Sequence, residues 1–236
     1  PKAQMKLRKI GITGADGTIG TVLRPALAGR YEISSFTMKP AGFPSTAADL
    51  SRAVEVRGLF DGLDAVIHLA ADPSPAASWE SVRENNIEAT FQVFEECRRA
   101  GVERLVFAST NHTQHGNTMR TTPETLDPSR GVTMATTDLP NPDSLYAVSK
   151  LFGEHLGKLY SQQSALEFVG LRIGWIVAED DPRSKAGTAA EAYMRAMFLS
   201  HRDCIQAFTN ALEVEATFLL AYAVSNNGRR VFELEP

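Results

Sequence analysis

The sequence predicts an α/β fold in which helices cover both faces of a doubly wound parallel sheet, with a small extra portion at the carboxyl end. Apolar segments rich in β-branched residues alternate with helix-like segments along almost all of the 236 residues, a pattern typical of βαβ units. The first such segment also runs into a glycine-rich turn before its helix. We expect one domain, with the main core in about residues 1–165, and with both core and substrate-binding elements in about 166–236.

The first half of the chain contains three predicted strands, at 7–13, 31–37 and 65–70. The nearly continuous apolar character of the third is typical of a strand covered on both faces. A helix is predicted at Thr18–Leu27, between the first two strands, from its apolar periodicity. Before the third strand, residues 53–60 favour a short helix, for which Ser51 is the expected N-cap.

The second half repeats the alternation with longer helices. A helix at 78–100 is predicted to end at Gly101, because glycine readily takes the left-handed conformation of a C-terminal cap. Another long helix is predicted at 146–162, and helical segments lie between about 188 and 214. The remaining predicted strands are 105–110, 168–174 and 218–225.

Two polar segments, 111–142 and 175–187, interrupt this alternation. The first is much longer than an ordinary connection, and such segments in compact domains are usually functional. Each follows the carboxyl end of a predicted strand, which is the edge where open α/β sheets bind ligands. The sequence therefore predicts a binding site at this edge.

Composition excludes several classes of function. Lys and Arg number 24 against 28 Asp and Glu, so the chain lacks the basic face that nucleic-acid binding needs. No apolar run approaches the roughly 18 residues of a membrane span. With only Cys97 and Cys204 and no secretion signal, we expect a reducing, cytoplasmic location. Because the chain begins at Pro1 rather than at a methionine, we expect that terminal residues are missing from it.

Three glycines, Gly14, Gly17 and Gly20, join the first predicted strand to the first helix. Glycine lets the backbone turn tightly and approach a pyrophosphate, while the helix N-terminus offers free amides to the phosphates. Turn geometry and packing alone leave the fixed interval of three residues unexplained. The pattern therefore indicates a Rossmann-type dinucleotide site, with expected cofactor contacts from Gly14, Asp16, Gly17, Thr18 and Ile19.

The residue that usually selects NAD is missing. An NAD site places Asp or Glu at the end of the second strand to accept ribose hydrogen bonds, whereas this strand ends at Thr37. Thr37 retains a hydroxyl for the ribose, and Lys39 either meets the 2′-phosphate of NADP or is a solvated loop lysine. Asp49 and Leu50 either contact the adenine or merely precede a helix. We therefore expect NAD, with NADP as the alternative.

Tyr146 and Lys150 lie four residues apart on a predicted helix and so share one face. A phenol with a pKa of about 10 is a poor base at neutral pH. A nearby ammonium stabilises the phenolate and lowers that pKa, which is what oxidation of an alcohol requires. The alternative is a surface pair in which the tyrosine packs on its own helix.

The strand before the long polar segment ends in hydroxyl-bearing residues. Side chains alternate along a strand, so Ser109 and Thr110 point to opposite faces of the sheet. We expect Thr110 to face the cofactor and Ser109 to be satisfied by backbone groups. Asn111 and His112 follow at the sheet edge, where His112 either contacts the substrate or makes a structural hydrogen bond.

These motifs fall into one known pattern. The glycine turn, the strand end at 68–71, Asn86 and the Tyr146–Lys150 pair together resemble the extended short-chain dehydrogenases/reductases, the NAD-dependent epimerase/dehydratase family. Residues 107–112 resemble those of uronate dehydrogenases and are equally similar to those of archaeal-type NAD-dependent glucose-6-phosphate dehydrogenases.

The resemblance implies a role for individual residues. Thr110, Tyr146 and Lys150 would form the catalytic set. Asn86 would support the lysine through water. Lys150 would also hold the cofactor ribose. Further implied contacts are Leu69, Ala70, Ala71, Asn86, Tyr146, Lys150 and Ile173 with the cofactor, and Ser74, Asn111 and His112 with a sugar; no metal is expected.

Arg172 is implied to bind an anionic group on the sugar, because a planar guanidinium pairs with a carboxylate or phosphate through two hydrogen bonds. The alternative is an ion pair with Glu179 or Asp180. The chain departs from the family at Thr110, where serine is usual, in the missing acid after the second strand, and in lacking a tail that closes over the substrate in uronate dehydrogenases.

The expected activity is oxidation at C1 of an anionic aldose, a uronate or a sugar 6-phosphate, to a lactone. The alternatives are a nucleotide-sugar epimerase or dehydratase and a non-catalytic NAD(P)-sensing protein. The helices at 78–100 and 146–162 resemble the family's dimerisation helices. A homodimer is therefore expected, although core packing explains their apolar stripes equally well.

Overall fold

The computed structural model describes residues 7–116 and 133–234 of the chain. Its strands are β1 (Lys9–Thr13), β2 (Glu32–Thr37), β3 (Thr46–Ala47), β4 (Ala65–His68), β5 (Arg104–Thr110), β6 (Glu167–Ile173) and β7 (Phe218–Ala223). They form one parallel sheet in the order β3-β2-β1-β4-β5-β6-β7. The order reverses between β1 and β4, which opens a crevice at the carboxyl edge of such a sheet.

Helices connect the strands. They are α1 (Thr18–Leu27), α2 (Ala53–Val56), α3 (Trp79–Val82), α4 (Ala89–Ala100), α5 (Leu145–Gln163), α6 (Glu191–Ala196) and α7 (His201–Glu213). A π-helical turn at Arg83–Glu88 joins α3 to α4, so the helix predicted at 78–100 is continuous but contains one wide turn. Within the described ranges, no helix combines the length and the apolar character needed to cross a bilayer.

The predicted fold class is confirmed, with small shifts at element boundaries. Helix α1 has the predicted bounds, and Gly101 ends α4 with a left-handed φ of 71°. The predicted N-cap Ser51 is wrong, because α2 begins after Arg52 and the Ser51 hydroxyl donates to Asp49 instead. Strand β3 was not predicted, since two residues carry no periodicity. Residues 117–132 of the long polar segment lie outside the described residues.

Two apolar layers cover the sheet, one on each face. On one face, α1 and α7 bury Leu23 and Phe208. On the other, α4 and α5 bury Phe94 and Leu156. All seven residues of β5 are buried, as expected for a central parallel strand covered on both sides.

Helix α5 has glycines where it crosses the strands, and they leave room for aromatic rings of the sheet directly beneath its backbone. A methyl group added to Gly153 would overlap the Phe107 ring, and one added to Gly157 would overlap Phe168. Both rings belong to a buried aromatic cluster that includes Phe94. Glycine is a poor helix former, so these positions lower the helix propensity of α5. In return, α5 can lie directly on the strands beneath it.

We expect Gly153→Ala to lower the free energy of unfolding by about 1–2 kcal/mol, because the cost of overpacking exceeds the gain in helix propensity. Urea denaturation measures the change. Gly29→Ala is the matched control, since a methyl group there meets nothing within 4 Å. A Gly153→Ala protein as stable as the wild type would show that α5 can move away from Phe107 without loss.

Candidate active site

A cavity of about 520 Å³ lies at the carboxyl edge of the sheet, beside the crevice between β1 and β4. It gathers most of the residues that the sequence marks as functional. The predicted residues that line it are Gly14, Asp16, Gly17, Thr18, Ile19, Thr37, Asp49, Leu50, Leu69, Ala70, Ala71, Thr110, His112, Tyr146, Lys150 and Ile173. Four predicted residues, Ser74, Asn86, Asn111 and Arg172, are not among the residues that line it.

The turn between β1 and α1 forms one wall of the cavity. Gly14 has a φ of +64°, and a Cβ atom there would lie 2.7 Å from the Ala70 amide nitrogen. No side chain caps α1, whose N-cap is Gly17, so its first amides are left for an anionic ligand. A helix N-terminus with free amides and a positive dipole end fits the pyrophosphate of a dinucleotide.

The end of β2 offers no acid and no cation to this cavity. The Thr37 hydroxyl donates to the Lys39 carbonyl at 2.8 Å, which folds the loop back on itself. The Lys39 side chain is exposed and is not a lining residue. Asp49 lines the cavity, and its carboxylate accepts hydrogen bonds from the amide and hydroxyl of Ser51. The geometry therefore gives no support to a 2′-phosphate contact by Lys39.

A buried histidine supports the floor of the cavity. His68 Nδ1 lies 2.7 Å from the Thr13 hydroxyl oxygen, which also accepts from the amides of Leu69 and Ala70. Burial, with the charge of Lys150, lowers the pKa of His68 to about 3, so this ring is neutral. It braces the loop after β4 through its contact with Thr13.

Tyr146 and Lys150 project from the first turns of α5, which Ser144 caps by accepting from the Ala147 amide at 3.2 Å. The Lys150 Nζ atom lies 5.8 Å from the centre of the Tyr146 ring. Thr110 lines the same cavity as Tyr146, and its hydroxyl acts to lower the pKa of the phenol. The hydroxyl, phenol and amine predicted as a catalytic set are therefore adjacent in space.

The pKa values of this set differ from the expectation that the ammonium acidifies the phenol. Burial raises the pKa of Tyr146 above 10.0; the Thr110 hydroxyl opposes this shift, and the Asp143 charge adds to it. Burial also lowers the pKa of Lys150 to about 7. Burial disfavours the charged form of both groups. In the protein without ligands, burial therefore affects the pKa of Tyr146 more than the charge of Lys150 does.

Asn86 is a structural brace and does not contact the cavity, contrary to its predicted cofactor role. Its Oδ1 accepts from the Asp72 amide at 2.8 Å, and its Nδ2 donates to the Asp72 carbonyl and the Ser149 hydroxyl, both at 3.0 Å. It therefore ties the loop after β4 to the residue preceding Lys150. Ser74 is also outside the cavity, where its amide donates to the Asp72 carboxylate within a turn.

The side chains of Asn111 and His112, directly after β5, lie in different surroundings. Asn111 is buried, its Nδ2 lies 3.0 Å from the Met197 sulfur, and it makes no part of the cavity wall. His112 lines the cavity with its ring 5.8 Å from that of Tyr146, and its Nδ1 lies 2.8 Å from Asp143 Oδ2. Of the three residues predicted to contact a sugar hydroxyl, Ser74, Asn111 and His112, only His112 lines the cavity.

Arg172 is not available to bind an anion, which corrects its predicted role. The side chain is buried, and its Nε and Nη2 atoms each donate to the Glu154 carboxylate at 2.8 Å. Neither of the loop carboxylates considered from the sequence is the partner. Glu154 also accepts from the Ser109 hydroxyl at 2.5 Å, so this serine is satisfied by a side chain rather than by the backbone.

Glu154, Asp143 and Trp175 are site residues that sequence reasoning missed. Glu154 follows Lys150 by four residues, so helical spacing alone places both on one face, and this spacing was a usable signal. Asp143 precedes the N-cap of α5 and resembles any acid at a helix start. Trp175 lines the cavity just after β6, and nothing in its local sequence marks it.

Comparison with known proteins agrees with this geometry. The model of the NAD dependent epimerase/dehydratase family matches residues 10–206. L-arabinose 1-dehydrogenase (NAD(P)(+)) of Haloferax volcanii is 40% identical over 88% of this chain and 83% of its own length. The NAD-dependent glucose-6-phosphate dehydrogenase of the same organism is 33% identical over 95% and 87%. A solved mutated uronate dehydrogenase, 29% identical, has a TM-score of 0.83 over 98% of this chain and 78% of its own.

The resemblance noted from the sequence motifs is therefore confirmed by the family model, by the relatives and by the fold. The chain belongs to the NAD-dependent epimerase/dehydratase family of extended short-chain dehydrogenases/reductases and is an NAD(P)-dependent dehydrogenase.

Proposed function

We propose that this enzyme oxidises C1 of an aldose to a lactone with NAD as the hydride acceptor. The observation that carries the proposal is that Thr110, Tyr146, Lys150 and His112 line the same cavity as the dinucleotide turn. Oxidation of a sugar hydroxyl requires a proton acceptor beside the oxygen and a hydride acceptor beside the carbon that bears it. That requirement is met when an acid–base side chain and a cofactor turn share a cavity.

Tyr146 is the proton acceptor in this proposal. The Lys150 amine takes up the proton that the Tyr146 phenol loses, and the phenolate oxygen then takes the proton of the anomeric hydroxyl, which Thr110 orients. NAD, when bound, supplies the site that accepts hydride from C1. An anionic phenol oxygen favours the charged form of Lys150, whose ammonium then stabilises the phenolate. The lactone leaves and hydrolyses.

A neutral aldose fits this cavity better than an anionic one. Among the described lining residues, Lys150 is the one Lys or Arg side chain, and its role at Tyr146 commits it. Arg172, which the sequence indicated for an anion, is neutralised by Glu154. The relative that acts on L-arabinose, a sugar without ionised groups, agrees with this conclusion. A uronate and a sugar 6-phosphate remain the comparison substrates.

The principal alternative is a nucleotide-sugar epimerase or dehydratase. Such enzymes share the fold and the Tyr–Lys pair but return the hydride to the substrate. Net accumulation of NADH with free sugars separates the two activities. The dehydrogenase relatives argue against the third reading, a protein that only senses NAD(P).

We also propose a cytoplasmic homodimer. The free thiols of Cys97 and Cys204 are buried and unpaired, as in proteins of a reducing compartment. Leu145, Val148 and Leu159 are 46%, 50% and 43% exposed and lie on one stripe of α5. An exposed apolar stripe on a long helix is suited to a second copy of the same helix.

We expect Tyr146→Phe to lose turnover by about 10²–10⁴-fold, the usual contribution of a general base, while retaining its affinity for NAD. The assay follows NADH with L-arabinose, glucuronate and glucose 6-phosphate, each with NAD and with NADP. Cofactor affinity is measured separately by calorimetry.

The control for this variant is Tyr31→Phe, whose hydroxyl contacts Glu213 away from the cavity, and it should keep full activity. Tyr146→Phe with undiminished turnover would exclude the mechanism. Wild-type protein that binds NAD but reduces it with none of the three sugars would exclude these substrates.

We expect the stability of the enzyme to rise between pH 7 and 9 because of Lys150. Its folded pKa is about 7 against an ordinary value of 10.5, so the unfolded chain binds more protons across this range. Below pH 7 the folded protein holds a charged Lys150, and burying that charge lowers the free energy of unfolding. As the pH rises above 7 the folded lysine becomes neutral and this penalty decreases. The slope contributed is at most about 1.4 kcal/mol per pH unit.

Lys150→Met should therefore flatten the pH dependence of the free energy of unfolding, measured by urea denaturation at pH 7, 8 and 9. Lys158→Met is the control, because Lys158 is an exposed lysine on the same helix. Parallel curves for the wild type and Lys150→Met would contradict the assigned pKa.

We expect Val148→Lys to shift the enzyme from dimer to monomer in sedimentation velocity, because a buried unpaired ammonium is costly. Leu139→Lys is the control, since Leu139 is 86% exposed and lies outside α5. A wild-type protein that sediments as a monomer at every concentration would refute the homodimer.

A further inference from the structure

The carboxylate of Asp143, beside the cavity, forms hydrogen bonds with two histidines. Asp143 Oδ2 lies 2.8 Å from His112 Nδ1 and 2.5 Å from His115 Nδ1. Its other oxygen, Oδ1, accepts from the Ser144 hydroxyl at 2.8 Å. Asp143 directly precedes the residue that caps α5, three positions before Tyr146. All three donors therefore converge on a group at the start of the catalytic helix.

These distances describe hydrogen bonds rather than a set of metal ligands. Zinc ligands at about 2.0–2.1 Å in a tetrahedron stand roughly 3.3 Å from one another, farther apart than either histidine nitrogen stands from Asp143 Oδ2. The carboxylate oxygen takes the place that an ion would occupy. The chemistry of the group therefore depends on where its protons are.

The donors and acceptors fix those protons. Although burial acts to raise it, the hydrogen bonds from His115 and Ser144 hold the pKa of Asp143 below its usual value. An ionised carboxylate only accepts hydrogen bonds, so both histidines must present Nδ1–H to it. In a neutral imidazole the other nitrogen is then an acceptor.

His68 shows the opposite arrangement in the same protein. The Thr13 oxygen already accepts from two backbone amides, so its own proton goes to His68 Nδ1. The neutral ring then carries its proton on Nε2, which faces the Thr90 hydroxyl at 3.2 Å. The two histidines therefore differ in tautomer because their Nδ1 partners differ.

We propose that Asp143 is a positioning residue that fixes His112 in the Nδ1–H tautomer, so that its Nε2 accepts a hydrogen bond from a hydroxyl group of the sugar. His112 lines the cavity and packs its ring against that of Tyr146. The substrate class that this atom recognises is a polyol bearing a hydroxyl next to the reacting carbon. The inference rests on the proposed aldose oxidation.

His115 holds the arrangement from the other side. Its ring centre lies 4.3 Å from that of His112 in an edge-to-face contact, and 5.1 Å from that of Tyr193. With His115 donating to the same oxygen, Asp143 cannot rotate away without losing two hydrogen bonds. His112 is thus held in both orientation and protonation.

The first test uses the wild-type enzyme with ¹⁵N-labelled histidine. Long-range ¹H–¹⁵N spectra distinguish protonated from unprotonated ring nitrogens, and the five histidines are assigned with His112→Asn and His68→Asn variants. We expect an unprotonated Nε2 at His112 and a protonated Nε2 at His68. A protonated Nε2 at a neutral His112 would overturn the proposal.

The second test is Asp143→Asn. The amide oxygen can still accept from Ser144, while its NH₂ group donates to His112 Nδ1 and moves the ring proton to Nε2. We expect the KM for the aldose to rise about tenfold, the value of one hydrogen bond lost, with NAD affinity unchanged. Loss of the Asp143 charge lowers the pKa of Tyr146, so kcat should not fall in parallel.

Asp138→Asn is the matched control, because Asp138 lies in the same loop but accepts from the Ala135 amide. It should change neither KM nor the His112 spectrum. An Asp143→Asn enzyme with the wild-type tautomer, or with kcat reduced and KM unchanged, would refute the positioning role. Should no aldose be oxidised, the proposed function fails, while the spectra still decide the tautomer.

Discussion

The close seating of α5 on the sheet is the contact on which the rest of the site depends. Gly153 and Gly157 let the helix descend onto Phe107 and Phe168, and the same helix carries Tyr146 and Lys150. A helix held farther from the strands would separate the phenol from the hydroxyl at the end of β5. Backbone contact with aromatic rings, rather than any polar bond, therefore sets the distance between the Tyr146 phenol and the Thr110 hydroxyl.

Burial of charge is the second organising feature. Lys150 and the Arg172–Glu154 pair are all buried, and the two members of the pair neutralise each other. Burying an unpaired ammonium costs free energy unless an anion lies beside it. Lys150 therefore favours an anion beside it, at the place where a Tyr146 phenolate would form. Arg172 has no such requirement, because Glu154 already neutralises it.

Local patterns predicted the backbone and much of the site, but not the side-chain pairings. The glycine turn and the Tyr146–Lys150 spacing are short-range signals, and the structure has both where they were expected. The partners of Arg172 and Asn86 were not predicted, because they are distant in sequence. They are Glu154 for the arginine, and Asp72 and Ser149 for the asparagine. Alternation along a strand gives the face that a side chain occupies, whereas the choice of partner is decided only when elements pack.

The loop that leads into α5 is anchored along its length. Met134 pairs with the chain near Phe232, the Thr136 carbonyl accepts from Arg172, and Asn141 exchanges backbone hydrogen bonds with Thr113 and Gly116. The start of α5 is therefore held through three separate parts of the fold: the chain near Phe232, strand β6 and the segment after β5. Losing any one of these contacts leaves two others to keep Tyr146 and Lys150 in the wall of the cavity.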